Sequence, residues 1–155
     1  MSQLRIAYEP DDEWTGKIIV RVVSDHFSGW GSAWISPDDI KAFAKSLGRY
    51  PIPPDRPSIF NAGHGGSLDG SRPPATLVGI TIKPQGPRGD LLVCIELQTE
   101  FWGNEDADLH QSMVARFETD YAPLERFARG LERVVCNLAE EAVLEGKIDR
   151  SEHAP

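Results

Sequence analysis

Residues 36–47, Ser-Pro-Asp-Asp-Ile-Lys-Ala-Phe-Ala-Lys-Ser-Leu, decide the fold. Ile40, Phe43, Ala44 and Leu47 fall at i, i+3, i+4 and i+7, the spacing of one helical face. Ser36 is a capping residue type, Pro37 suits the first helical position, and Asp38 and Asp39 favour the positive end of the helix dipole. Gly48 is a stop signal. The pattern returns 84 residues later (40 to 124): Leu124, Phe127, Ala128 and Leu131 repeat the spacing, and Asp120 takes the place of Ser36. Each cap follows a strand-like stretch. The chain therefore predicts two strand-then-helix units, matched as an internal duplication would match them, whose helices press similar apolar stripes onto one sheet.

Outward from these helices the chain reads as strands. Residues 4–8 form a short opening strand. Residues 17–23 are rich in β-branched side chains, with Ile18, Val20 and Val22 facing one way. Residues 30–35 return as the second arm of a hairpin. Prolines 51, 53, 54 and 57 forbid regular structure, except for a short edge strand at 58–61. Val78, Ile80 and Ile82 align on a strand over 76–83, and Leu91, Val93, Ile95 and Leu97 on its hairpin partner over 91–98. A further strand spans 111–119. The last helix starts near Tyr121, carries its stripe through Val134, Val135 and Leu138, and extends toward Glu145 with Gly146 as its stop. The expected fold is α+β: a mostly antiparallel sheet of five to seven strands with two helices. It occupies a single domain over 1–150, with halves at about 1–50 and 75–146 joined by a Gly/Pro-rich link at 51–74, and a frayed tail at 151–155.

Composition narrows the classes of function. The chain has 155 residues and a formal charge of −8. That balance argues against nucleic acid, whose binders present basic faces. No apolar run approaches the ~20 residues of a membrane helix, and the N-terminus lacks the apolar core of a signal peptide, so a cytoplasmic protein is expected. Cys94 and Cys136 read as two reduced, partly buried thiols. His26, His64, His110 and His153 are scattered, with no pairing of metal-ligand spacing, so neither a metal nor a cofactor is expected. Sheet edges leave homo-oligomerisation open.

Two constellations remain as candidate sites. Glu100, Glu105, Asp106 and Asp108 surround Phe101 and Trp102, and aromatic anchors inside an acidic rim suit a basic protein partner. Trp30 and Trp34 lie on one face of a strand, where they either pack beneath a helix or form a stacking platform. With His64, set among glycines that let a ligand approach the backbone, they outline an alternative pocket between sheet and helices.

Phe27-Ser28-Gly29 leading into Gly31-Ser32-Ala33-Trp34, and Thr119-Asp120-Tyr121 leading into Leu124-Glu125-Arg126-Phe127-Ala128, resemble a group of small, mostly uncharacterised bacterial proteins. Some of these are similar to immunity proteins paired with wall-associated or contact-dependent toxins. The resemblance spans about residues 14–135. Its motif is structural, a strand entering a capped helix, and it implies no catalytic residue. With the acidic charge it implies a non-enzymatic protein-binding module, an immunity-type inhibitor that occupies a basic toxin domain. The competing expectation is a small-ligand-binding or hydrolytic domain at Trp30, Trp34 and His64.

Overall fold

The computed structural model describes residues 1–64, 75–100 and 108–148. The elements run β1 (Gln3–Pro10), β2 (Gly16–Val23), β3 (Ser28–Ile35), α1 (Pro37–Ser46), β4 (Ser58–His64), β5 (Ala75–Pro84), β6 (Leu91–Gln98), β7 (Ser112–Thr119), α2 (Tyr121–Val135) and β8 (Ala142–Glu145). The class is α+β, as the periodicity predicts. The strands, however, form two antiparallel sheets of four, ordered β3-β2-β1-β8 and β4-β5-β6-β7, and not one sheet of five to seven. Period-2 patterning reports which side of a strand is buried, and it is silent on which sheet a strand joins.

Each sheet buries one face. Leu4, Ile6, Ile18, Val20, Val22 and Leu144 point inward from the first sheet, and Phe60, Val78, Ile80, Ile82, Val93, Ile95 and Phe117 from the second. They form one continuous core with the helix stripes. Phe127 is 0 % and Phe43 4 % exposed, so both stripes are buried where the spacing places them. At ~25 cal/mol per Å², each such side chain contributes about 1.5–3 kcal/mol. The helices do not share one sheet. They pack on each other, with α1 also against β4 and α2 against β8 and β1.

The helix starts differ in chemistry. Ser36 caps α1 through its side chain, which accepts a hydrogen bond from the Asp39 N–H at 3.2 Å. Asp120 sits at the N-cap of α2 but makes no side-chain cap bond. Its carboxylate instead lies 3.0 Å from the Lys147 ammonium, which also pairs with Asp90. These two carboxylates hold the Lys147 pKa above the usual lysine value, through the Asp90 hydrogen bond first.

The C-terminal region departs from expectation. α2 ends at Val135, and Asn137 takes a left-handed φ of 60°. The chain then reverses into β8, which pairs with β1, so the second half of the chain completes the sheet begun by the first. Leu138, assigned to the buried stripe, is 64 % exposed, because the helix has already ended. Cys136 at the C-cap is exposed, whereas Cys94 is half-buried. The turn before β2 is held by Asp12, whose carboxylate accepts from the N–H groups of Trp14 and Thr15, both at 2.8 Å. These bonds lower its pKa below the ordinary carboxylate value.

Candidate functional site

β3 positions the site, and its neighbours explain how. It is an edge strand, paired with β2 alone. Its inner positions are Gly29, Gly31 and Ala33, which face the second sheet. Gly29 lies over the Met113 side chain of β7, and Gly31 over Leu97 of β6. Successive inner residues of β3 thus meet successive strands of the second sheet. β3 crosses that sheet and does not run along it, and the missing Cβ atoms let the backbone come close.

The outer positions are Trp30, Ser32 and Trp34. Both tryptophans face solvent, at 68 % and 57 % exposure. The packing of this face beneath a helix, one of the two readings of the sequence, is therefore not what the structure shows. Both helices lie elsewhere, and an alternating strand does not reveal which side they cover. Across the β2–β3 ladder, Arg21 stands opposite Trp30 and Lys17 opposite Trp34, and Arg5 of β1 follows Arg21. Arg5 is paired with Glu141.

Hydrogen-bond phase fixes which backbone groups of β3 are not bonded to β2. Ser24 and Phe27 close the β2–β3 turn with a reciprocal pair, N–H to carbonyl, at 2.7 and 3.3 Å. Bonded and non-bonded residue pairs alternate along an antiparallel ladder. Val22–Gly29, Val20–Gly31 and Ile18–Ala33 are then the bonded pairs. Ser28, Trp30, Ser32 and Trp34 direct their N–H and C=O groups away from β2, toward the open edge.

A groove of about 700 Å³ runs along that edge. One side is β3 from Ser28 to Trp34, with Lys17 beside it. The other is formed by Leu97, Gln98, Thr99 and Glu100 leaving β6 and by Gln111, Ser112 and Met113 entering β7, with Leu77 of β5 at the base. The Gln98 side chain donates to the Thr76 carbonyl. Its Oε1 lies 3.2 Å from His110 Nε2 at the rim. A second, more open groove lies between α1 and β4, around Phe43, Arg49 and Ile59.

The predicted site residues divide as follows. Trp30 and Trp34 share the first groove, which lies between the two sheets and not between sheet and helices. His64 ends β4, and its side chain lies outside the described residues. Of the acidic loop, Glu100 lines the groove and Asp108 is exposed beyond it. Phe101, Trp102, Glu105 and Asp106 lie outside the described residues. Lys17, Arg21, Gln98 and Met113 have no place among the sequence-based candidates, and Gly29 and Gly31 enter there only as part of the strand-to-helix motif. The Gly-Trp-Gly alternation of 29–31 was the available signal for a close inner face and an aromatic outer one.

The groove offers indole faces, an ammonium, a carboxylate, hydroxyls, amides and free backbone groups. These are recognition groups: they hold a surface by stacking, charge and hydrogen bonds. Among the described residues, no set of three His, Cys, Asp or Glu side chains is grouped to hold a metal ion. No described helix is long and apolar enough to cross a membrane. No protein-family model, curated protein or solved structure matches the chain.

Proposed function

We propose that this chain is a non-enzymatic protein-binding module, of the immunity type that inhibits a bacterial toxin by occupying it. The observation that carries the proposal is that the backbone edge of β3, unpaired among the described residues, and two solvent-facing tryptophans line one groove. Tryptophan is a favoured anchor in protein interfaces, and covering it removes apolar area from water. Glu100 at the groove and Asp108 beyond it, within a chain of charge −8, favour a partner that is basic overall and speed its approach. The resemblance of the strand-to-helix motifs to immunity proteins supplies the biological setting.

The test is comparative capture from the native cell. A partner retained by the wild-type chain is expected to fall at least tenfold on Trp30→Ala/Trp34→Ala. Glu100→Lys/Asp108→Lys is expected to slow its association and flatten the salt dependence. A partner held equally by all three proteins would contradict the proposal.

The groove volume also lies in the range of small-ligand sites, and Trp30 and Trp34 would stack on a sugar or base. Titration of indole fluorescence with such ligands distinguishes this second reading, which requires saturable quenching without a protein partner.

A further inference from the structure

We infer that the groove takes its partner by strand addition: an extended segment of another protein, with acidic side chains at alternate positions, pairs with the free edge of β3 and widens the first sheet to five strands. The inference rests on the groove being a protein-binding site and adds the mode of binding and the chemistry of the segment bound.

The edge itself is the first argument. Ser28, Trp30, Ser32 and Trp34 present four N–H and four C=O groups in ladder register over about 20 Å, at ~3.3 Å per residue. Among the described residues no backbone group pairs with them. Unpaired backbone groups in a groove favour a partner that supplies the complementary row.

The second argument is that, among the described residues, nothing guards this edge. Proteins blunt exposed edges with charges, prolines, short strands or covering elements. β3 reads Ser-Gly-Trp-Gly-Ser-Ala-Trp-Ile, with no charge and no proline over eight residues. The edges of β7 and β8 are managed, and β4 is tied to α1 at its first residue. The Ser58 hydroxyl at the start of β4 donates to the Ser46 carbonyl of α1. β7 carries Arg116 and Glu118, and the Lys147 N–H donates to the Glu118 carbonyl. β8 has four residues and lies against α2.

Charge selects the segment. Outward side chains of an added strand would lie beside Trp30 and Trp34, within reach of Arg21 and Lys17 on β2. Neither cation makes an ion pair among the described residues; Glu9 of β1 stands opposite Lys17 and Arg5 opposite Arg21, so Arg21 is the stronger anchor. A carboxylate placed there gains a charge-assisted contact over an indole face. The segment is thus acidic locally even if the partner is basic overall. A second copy of this chain fits less well. β3 paired to itself about Ser32 would set Trp30 against Trp34 of the other copy.

The test uses ¹⁵N-labelled full-length protein and three synthetic probes: a peptide of alternating Glu and Val, its Lys-for-Glu counterpart, and the Glu-Val peptide N-methylated at every second residue on the side of the Glu N–H groups or, separately, of the Val N–H groups. Expected is saturable binding of the Glu-Val peptide, with the largest amide shifts at Trp30, Ser32 and Trp34. The Lys peptide should bind at least tenfold more weakly, and one of the two methylated forms should lose binding altogether. Lys17→Glu/Arg21→Glu should reverse the charge preference. Ser32→Pro should abolish binding, since it deletes an N–H that β2 does not use; the methylated peptides give the same information if that variant is poorly folded. Equal binding of both methylated peptides, or of Lys and Glu peptides, overturns strand addition while leaving a side-chain protein site intact. Shifts at other strands, association with an oligo-dT probe, or dimerisation of the free chain assigns the edge to another occupant and also overturns it. Absence of binding by every peptide, with a captured partner indifferent to Trp30 and Trp34, removes the underlying reading too.

Discussion

Gly31 sits directly above Leu97: a Cβ at position 31 would stand 3.2 Å from Leu97 Cδ2. That distance requires the leucine to give by a few tenths of an ångström, and a branched side chain requires more. Gly31→Val is expected to destabilise by about 1–3 kcal/mol through overpacking. Urea unfolding measures it. A neutral outcome would mean that β3 does not lie against the second sheet as described.

Phe127 is the most enclosed large side chain of the α2 stripe, and Phe43 packs on Phe60 with ring centroids 5.3 Å apart and planes tilted by 44°. Truncating either to alanine is expected to cost about 3–5 kcal/mol. Trp30→Ala, by contrast, is expected to stay within about 0.5 kcal/mol, because the indole is exposed. Thermal unfolding of the three variants should separate them into these two groups.

The two helix caps should respond differently. Ser36→Ala removes a side-chain cap bond and is expected to cost about 0.5–2 kcal/mol. Asp120→Ala removes no cap bond, and its main loss is the solvent-screened pair with Lys147, so it is expected to cost less than Ser36→Ala. A larger loss at Asp120 than at Ser36 in chemical denaturation would contradict the assignment.

Lys147 ties the end of the chain described here to Asp90 and Asp120, and its folded pKa is raised. A raised cationic pKa means that the folded state holds the proton more tightly. The stabilisation is therefore complete below the ordinary lysine value of 10.5 and is lost as pH rises through the higher folded value. The difference in melting temperature between wild type and Lys147→Met should be constant at neutral pH and shrink above that value. A difference that does not change with pH would remove the ionic explanation.

Much of the fold was legible because short-range rules govern it. The stripe Ile40–Phe43–Ala44–Leu47 and its counterpart at 124 report helix faces directly, and Leu91–Val93–Ile95–Leu97 reports a strand face. What was missed depends on distant partners. β8 became a strand because Ala142 and Leu144 pair with β1, whereas the helical periodicity carried on to Leu138. The division into two sheets likewise follows from pairing and not from pattern. For the site, Trp30 and Trp34 stood out as aromatics, but whether a helix covered them was a tertiary matter. Lys17 and Arg21 carry no site signal in the sequence; register places each opposite an indole.

Amide hydrogen exchange along β3 tests the central claim most directly. If the edge is free, Gly29, Gly31 and Ala33, bonded to β2, exchange slowly, and Trp30, Ser32 and Trp34 exchange fast, in strict alternation. Uniform protection across residues 28–34 would mean that this edge is already paired, and the account of the groove would fail.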